Sequence, residues 1–61
     1  MNFKKLTTKD GSPIFLNIDL ATEMKRTNKN TATIVQFGGY YVLVKESPED
    51  IFQLPSVYNV Q

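Results

Sequence analysis

The chain has 61 residues, 41% of them hydrophobic, and contains neither cysteine nor histidine. This length predicts one small domain, 1–61, and the missing residue types exclude disulfides and the common zinc sites as sources of stability. A domain this small buries only roughly 60% of the surface of its unfolded chain, so we expect association between copies to add stability.

The charge is nearly balanced but uneven along the chain. Formal net charge is +1, which is typical of neither a nucleic-acid-binding chain nor an acidic tail. Six basic and three acidic side chains precede residue 31, whereas Lys45 is followed by Glu46, Glu49 and Asp50. A weak basic face would fit this pattern, but lysines that blunt solvated sheet edges explain it more simply. With no apolar run of ~20 residues and no evident signal peptide, we expect a cytoplasmic protein without a membrane span.

The first predicted elements form a hairpin. Residues 3–9 are typical of a strand, and Asp10 with Gly11 predicts the turn, because glycine accepts positive φ at no steric cost. Residues 14–18 then alternate with a period of two, which indicates a second strand. Pro13 at its start suits an edge position.

Residues 17–30 fit two structures. In a helix, Asp19 would be the N-cap, and Leu20 and Met24 would lie one turn apart. In a strand, Leu20, Thr22 and Met24 would share one face and a polar turn at 27–30 would follow. Propensity alone slightly favours the helix.

Residues 31–46 give the clearest β pattern. Two segments rich in β-branched and aromatic residues flank Gly38-Gly39, which predicts a two-residue hairpin loop. Residues 41–44 are apolar on both faces, so this strand is predicted to be central in the sheet, with both faces covered.

A short helix is predicted after this strand. Ser47 is a good N-cap, Pro48 suits the first helical position, and Glu49 and Asp50 favour the positive end of the helix dipole. Pro55 limits the helix to about two turns, so packing must hold it. The tail, 55–61, is predicted to be an edge strand or an interface segment.

These elements predict a mainly β fold: a small twisted antiparallel sheet, or a partly open barrel, of about five strands with one short C-terminal helix. The predicted core consists of apolar residues on the inward faces of these elements: Leu6, Ile14, Leu16, Leu20, Met24, Ile34, Val42, Val44, Ile51 and Leu54.

Two segments resemble the small FlbD/SwrD-like flagellar proteins. The likeness covers residues 3–54 and rests on Asp10, Gly11, Ile14, Leu16, Asn17, Asp19 and Leu20, and later on Gly39, the strand at 42–44, Lys45, Glu46, Ser47 and Ile51. For residues 17–30 the resemblance implies a short corner followed by a strand. It also implies a small cytoplasmic, non-enzymatic protein that acts through protein contacts.

The candidate site residues fall into two groups. Residues predicted to shape turns and caps are Gly11, Asn17, Asp19, Gly39 and Ser47. Large side chains without an evident place in so small a core predict an interface formed by Tyr40, Tyr41, Phe52, Val57, Tyr58 and Val60. The tyrosines beside the glycine turn could instead pack across strands or stack on bases.

No catalytic, cofactor-binding or metal site is predicted, since no nucleophile–base pair or ligand cluster is evident. Three function classes stay open: a protein-interaction or structural module that forms homo-oligomers, a nucleic-acid-binding small β protein, and a phage-type oligomer that binds a small nucleotide ligand between subunits. The balanced charge argues against nucleic acid, so we expect the first class, with another protein partner as a variant of it.

Overall fold

The computed structural model describes residues 2–57 and has five strands, a single 3-10 turn and one short α-helix. The elements are β1 Phe3–Thr7, β2 Pro13–Asn17, the 3-10 helix Ile18–Leu20, β3 Glu23–Arg26, β4 Thr33–Gln36, β5 Tyr41–Val44 and α1 Pro48–Gln53. The strands form two antiparallel sheets, β1–β2 and β3–β4–β5. The predicted mainly β fold with a short C-terminal helix is confirmed; among the described residues the strands do not close into a barrel.

The two sheets are joined where β1 and β5 end. An isolated bridge pairs Thr8 with Val44, and the Lys45 N–H donates to the Thr7 carbonyl at 2.8 Å. At the other end of β1, the Val57 N–H donates to the Phe3 carbonyl at 2.7 Å. The spatial order is therefore β2–β1–β5–β4–β3, which leaves β2 and β3 at the two ends.

Glycine turns close both hairpins, as predicted. Gly11 has φ +93° between β1 and β2, and Gly38 has φ +70° between β4 and β5. The Phe37 N–H donates to the Tyr40 carbonyl at 2.7 Å, which defines a two-residue loop. Positive φ falls on Gly38 and not on Gly39, as in a type II′ turn.

The ambiguous segment folds as a corner followed by a strand. The Asn17 side-chain oxygen caps the 3-10 helix by accepting the Asp19 N–H at 3.2 Å, and β3 follows. Asp19 thus receives the cap through its backbone, and its side chain is exposed. The capping of α1 follows the sequence prediction, because Ser47 Oγ accepts the Asp50 N–H at 3.1 Å and Pro48 opens the helix.

The core lies between the two sheets and α1. Its buried apolar members are Leu6, Leu16, Ile18, Val35, Val44 and Ile51, and partly buried side chains pack around them: Ile14, Ala21, Met24, Phe37, Val42 and Leu54. Two residues predicted for the core do not belong to it: the Leu20 side chain is 67% exposed, and Ile34 lies on the outer face of β4, in the row of Lys25 and Leu43. The 3-10 helix turns Ile18 inward, and Leu20, two residues later, then points away.

The prediction that both faces of residues 41–44 are covered is wrong. β5 is the outer strand of the β3–β4–β5 sheet, and β1 lies beside it only at its end, where Thr8 bridges Val44. Tyr41, on the outer face of β5, is 60% exposed. The described residues therefore cover one face of this apolar strand and leave the other open.

Lys4 is a buried residue that the sequence analysis did not single out. It alternates with Leu6 on the inner face of β1, and its Nζ donates to the Ile51 carbonyl at 2.7 Å and the Phe52 carbonyl at 3.3 Å. These carbonyls lie in the last turn of α1, where few intrahelical donors remain and a cation is favourable. Lys4 thus ties the hairpin to the helix.

Candidate interaction surface

The three-stranded sheet has two contrasting faces. Its strand register places Met24, Val35 and Val42 in one inner row, with Arg26, Thr33 and Val44 in the next. The outer rows are Glu23, Gln36 and Tyr41, then Lys25, Ile34 and Leu43. The inner rows meet the core, whereas the outer rows border a shallow groove.

We call this outer depression the sheet groove. It has a volume of about 470 Å³ and is lined by Glu23, Lys25, Thr27, Ile34, Gln36, Tyr41 and Leu43. Its floor is apolar where Ile34 and Leu43 sit side by side on β4 and β5. One acidic and one basic side chain stand together on its β3 wall, so the groove has no net charge.

A second depression, the helix groove, lies between β3, the 3-10 helix and α1. It has a volume of about 290 Å³ and is lined by Ile18, Ala21, Thr22, Glu23, Met24, Pro48 and Phe52. Phe52 is 70% exposed, because α1 turns Ile51 into the core and its next residue away from it. Glu23 lines both grooves, so the two depressions meet at the start of β3.

The free edge of β3 lies at this meeting point. The Thr27 N–H donates to the Ala32 carbonyl at 2.9 Å, which makes residues 27 and 32 a hydrogen-bonded pair. Such pairs recur at every second residue of an antiparallel ladder, so the backbone of Lys25 pairs with β4. The backbone groups of Met24 and Arg26 consequently point away from β4, along the open edge.

Arg26 fixes the far end of this edge. Its guanidinium donates to Asn30 Oδ1 at 2.9 Å, to the Asn30 carbonyl at 2.6 Å and to Thr33 Oγ1 at 2.9 Å. It also donates to the Lys45 carbonyl at 3.3 Å. A five-donor guanidinium thus joins the β3–β4 turn to the end of β5.

The predicted interface residues divide between different places. Tyr41 lines the sheet groove and Phe52 lines the helix groove, whereas Tyr40 stacks on Phe37 at the glycine turn with ring centroids 5.4 Å apart. Val57 is partly buried against β1. Tyr58 and Val60 lie outside the described residues.

Two further exposed side chains were not predicted as surface sites. Phe15 and Leu20 are 52% and 67% exposed. Alternation along β2 could have placed Phe15 on the outer face, opposite Lys5, because Ile14 and Leu16 point inward. Asn17 and Asp19 indicated a corner before Leu20, but not the 3-10 geometry that exposes its side chain.

Asp10 is a charged group whose pKa the fold lowers. The Thr8 hydroxyl and the Ser12 N–H donate to its carboxylate within the first hairpin turn, and these bonds favour the charged form. The side chain is fully exposed and lies in a turn of ordinary chemistry. We therefore assign it a structural role.

The described residues offer no cluster of three or more metal-ligating side chains, and their helix is too short to cross a membrane. What the arrangement offers is contact area: two apolar grooves and a strand edge between them. No family model, no curated protein and no solved structure matches the chain.

Proposed function

We propose that this protein is a small non-enzymatic interaction module that acts in the cytoplasm through protein–protein contacts, as a homo-oligomer. The observation that carries the proposal is the open outer face of the three-stranded sheet. There, the half-buried Ile34 and Leu43 and the exposed Tyr41 form an apolar surface that borders an open groove. Exposed apolar surface of this kind marks interaction sites.

The charge of this face favours a protein partner over a nucleic acid. Its two outer rows contain Lys25 as the basic residue and Glu23 as the acidic one, which cancel. Binding to a phosphate backbone depends on neutralising several phosphates with basic side chains. An apolar floor with a tyrosine beside it is instead the composition found at the centre of protein interfaces.

A second copy is the partner that the size of the domain favours. Only seven apolar side chains of the described residues are buried, and five large hydrophobic side chains are exposed. A homo-oligomer would bury part of that surface in every subunit at once, and closed symmetric assemblies are the commonest solution. Association of this kind stabilises the fold by mass action.

The test is the mass and melting temperature of the full chain across a wide concentration range. We expect a monomer at high dilution, a discrete oligomer at high concentration, and a melting temperature that rises with concentration. Tyr41→Ser should weaken association, whereas Phe15→Ser, a matched exposed aromatic on the other sheet, should not. A full chain that stays monomeric with a constant melting temperature would contradict the proposal.

A further inference from the structure

The free edge of β3 specifies how two copies meet. We propose that two chains pair antiparallel along β3, about a two-fold axis at Met24, so that one sheet continues from copy to copy. This inference rests on the proposed function, because it assumes self-association and adds the strand and the register.

The backbone pattern makes Met24 a suitable centre. Lys25 uses its backbone groups on β4, whereas those of Met24 point to the open side. Two Met24 residues facing each other across the axis would exchange both of their N–H···O bonds. Such a pair satisfies backbone groups for which the described residues supply no partner strand.

The side-chain charges select this register over its neighbours. Directly opposed residues of an antiparallel pair lie on the same face. An axis at Met24 therefore sets Glu23 of each chain opposite Lys25 of the other, twice. An axis at Lys25 would oppose two lysines, and an axis at Glu23 would oppose two glutamates, and both arrangements are destabilising.

The other edges are less suited to pairing. β2 begins with Pro13, which lacks an N–H and interrupts a ladder, and ends in the capped 3-10 corner. The outer edge of β5 is already taken at its end, where Val44 bridges Thr8 and Lys45 donates to Thr7. β3 is thus the edge strand on which Glu23 of one chain can face Lys25 of a second chain.

This geometry also accounts for the position of both grooves. The two sheet grooves would become neighbours on one face of the shared sheet, since each reaches β3 through Glu23 and Lys25. On the opposite face, Phe52 lies beside residues 22–24 and would face the partner chain. The dimer would therefore shield apolar surface on both faces of the joint.

Charge exchange tests the register. Glu23→Lys and Lys25→Glu each create like-charge pairs and should weaken dimerisation at least threefold, whereas the double variant Glu23→Lys/Lys25→Glu should restore it. Lys9→Glu is the control for Lys25→Glu, because it makes the same charge change at the exposed turn of the other hairpin. Circular dichroism of each variant verifies that the monomer is folded.

Mixed cross-linking tests the geometry directly. The natural chain has no cysteine, so each introduced thiol is the only one present. Opposed residues at such a position lie ~4.5 Å apart between Cα atoms, within disulfide reach. Chains carrying Glu23→Cys, mixed with chains carrying Lys25→Cys and oxidised, should form a disulfide-linked dimer, and neither variant alone should do so efficiently.

The outcomes separate this inference from the proposed function. Charge rescue together with cross-linking only in the mixture supports pairing along β3 at Met24. If the charge variants dimerise as tightly as the natural chain and the cysteine variants do not cross-link, the pairing along β3 is wrong and self-association is retained. A natural chain that is monomeric at every concentration overturns both.

Discussion

Both faces of the β3–β4–β5 sheet carry large apolar side chains, but their surroundings differ. Val35, on the inner face of β4, is a completely buried core residue. The adjacent Ile34, on the outer face, borders an open groove. Both are β-branched apolar residues on the central strand. An apolar strand sequence indicates that the strand has apolar faces to bury. Which of those faces is buried depends on where the helix and the other hairpin pack.

The helix that covers the inner face offers the largest test of this contrast. Ile51→Ala should lower the free energy of unfolding by ~2–5 kcal/mol, because Ile51 is fully buried and its loss leaves a cavity. Phe52→Ala, one residue later and 70% exposed, should change the stability of dilute protein by less than ~1 kcal/mol. Urea unfolding of both variants at low concentration measures the pair. Equal losses would mean that α1 does not sit on the core as described.

Neighbouring residues on β4 sharpen the comparison. Val35→Ala should cost roughly 2 kcal/mol, since two buried methyl groups are lost at ~0.8 kcal/mol each and a cavity is added. Ile34→Ala should cost less in dilute protein but should reduce self-association. The readouts are urea unfolding and sedimentation of the same samples. If Ile34→Ala lowers stability more than Val35→Ala does, the assignment of faces is wrong.

The cap of the covering helix gives a smaller effect. Ser47→Ala should cost ~1 kcal/mol, because the Asp50 N–H loses its acceptor. Ser47→Asp should retain most of the stability, since aspartate also caps a helix and carries favourable charge at its N-terminus. Thermal unfolding compares the three proteins. Equal destabilisation by both substitutions would argue against capping as the role of Ser47.

The smallest effect concerns Asp10, far from both faces of this sheet. The Thr8 and Ser12 hydrogen bonds lower its pKa in the folded protein, so its contribution to stability is present above the unfolded pKa. That contribution is lost as pH falls from about 4 through the folded pKa. Unfolding measured from pH 6 to pH 2 should show a fall in stability that is smaller in Asp10→Asn. An identical pH profile for the variant would contradict the role of these bonds.

Local chemistry made most of the fold predictable from the sequence. Gly11 and the Gly38-Gly39 pair predicted both turns, and Ser47 with Pro48 predicted the helix start. Turn and cap preferences depend only on residues that are close in sequence. Leu20 and the cover of β5 could not be predicted in this way. They depend on how a three-residue 3-10 turn is oriented and on which face of the sheet the helix and the other hairpin cover, and both are set by packing between distant segments.

The candidate surface was predictable only in part. An excess of large apolar residues indicated an interface, and Tyr41 and Phe52 do line exposed grooves. The edge of β3 was not predicted, because residues 17–30 fitted a helix as well as a strand. The order of Glu23 and Lys25 indicates pairing between copies only when residues 23–26 are known to form an edge strand.

Amide hydrogen exchange at single residues tests the central claim most directly. The Lys25 amide pairs with β4 within one chain, so it should be protected at every protein concentration, whereas the Met24 amide should exchange fast in dilute protein. Raising the concentration should protect Met24 by at least tenfold as copies pair along β3. Exchange at Met24 that stays fast in the assembled protein would contradict the account.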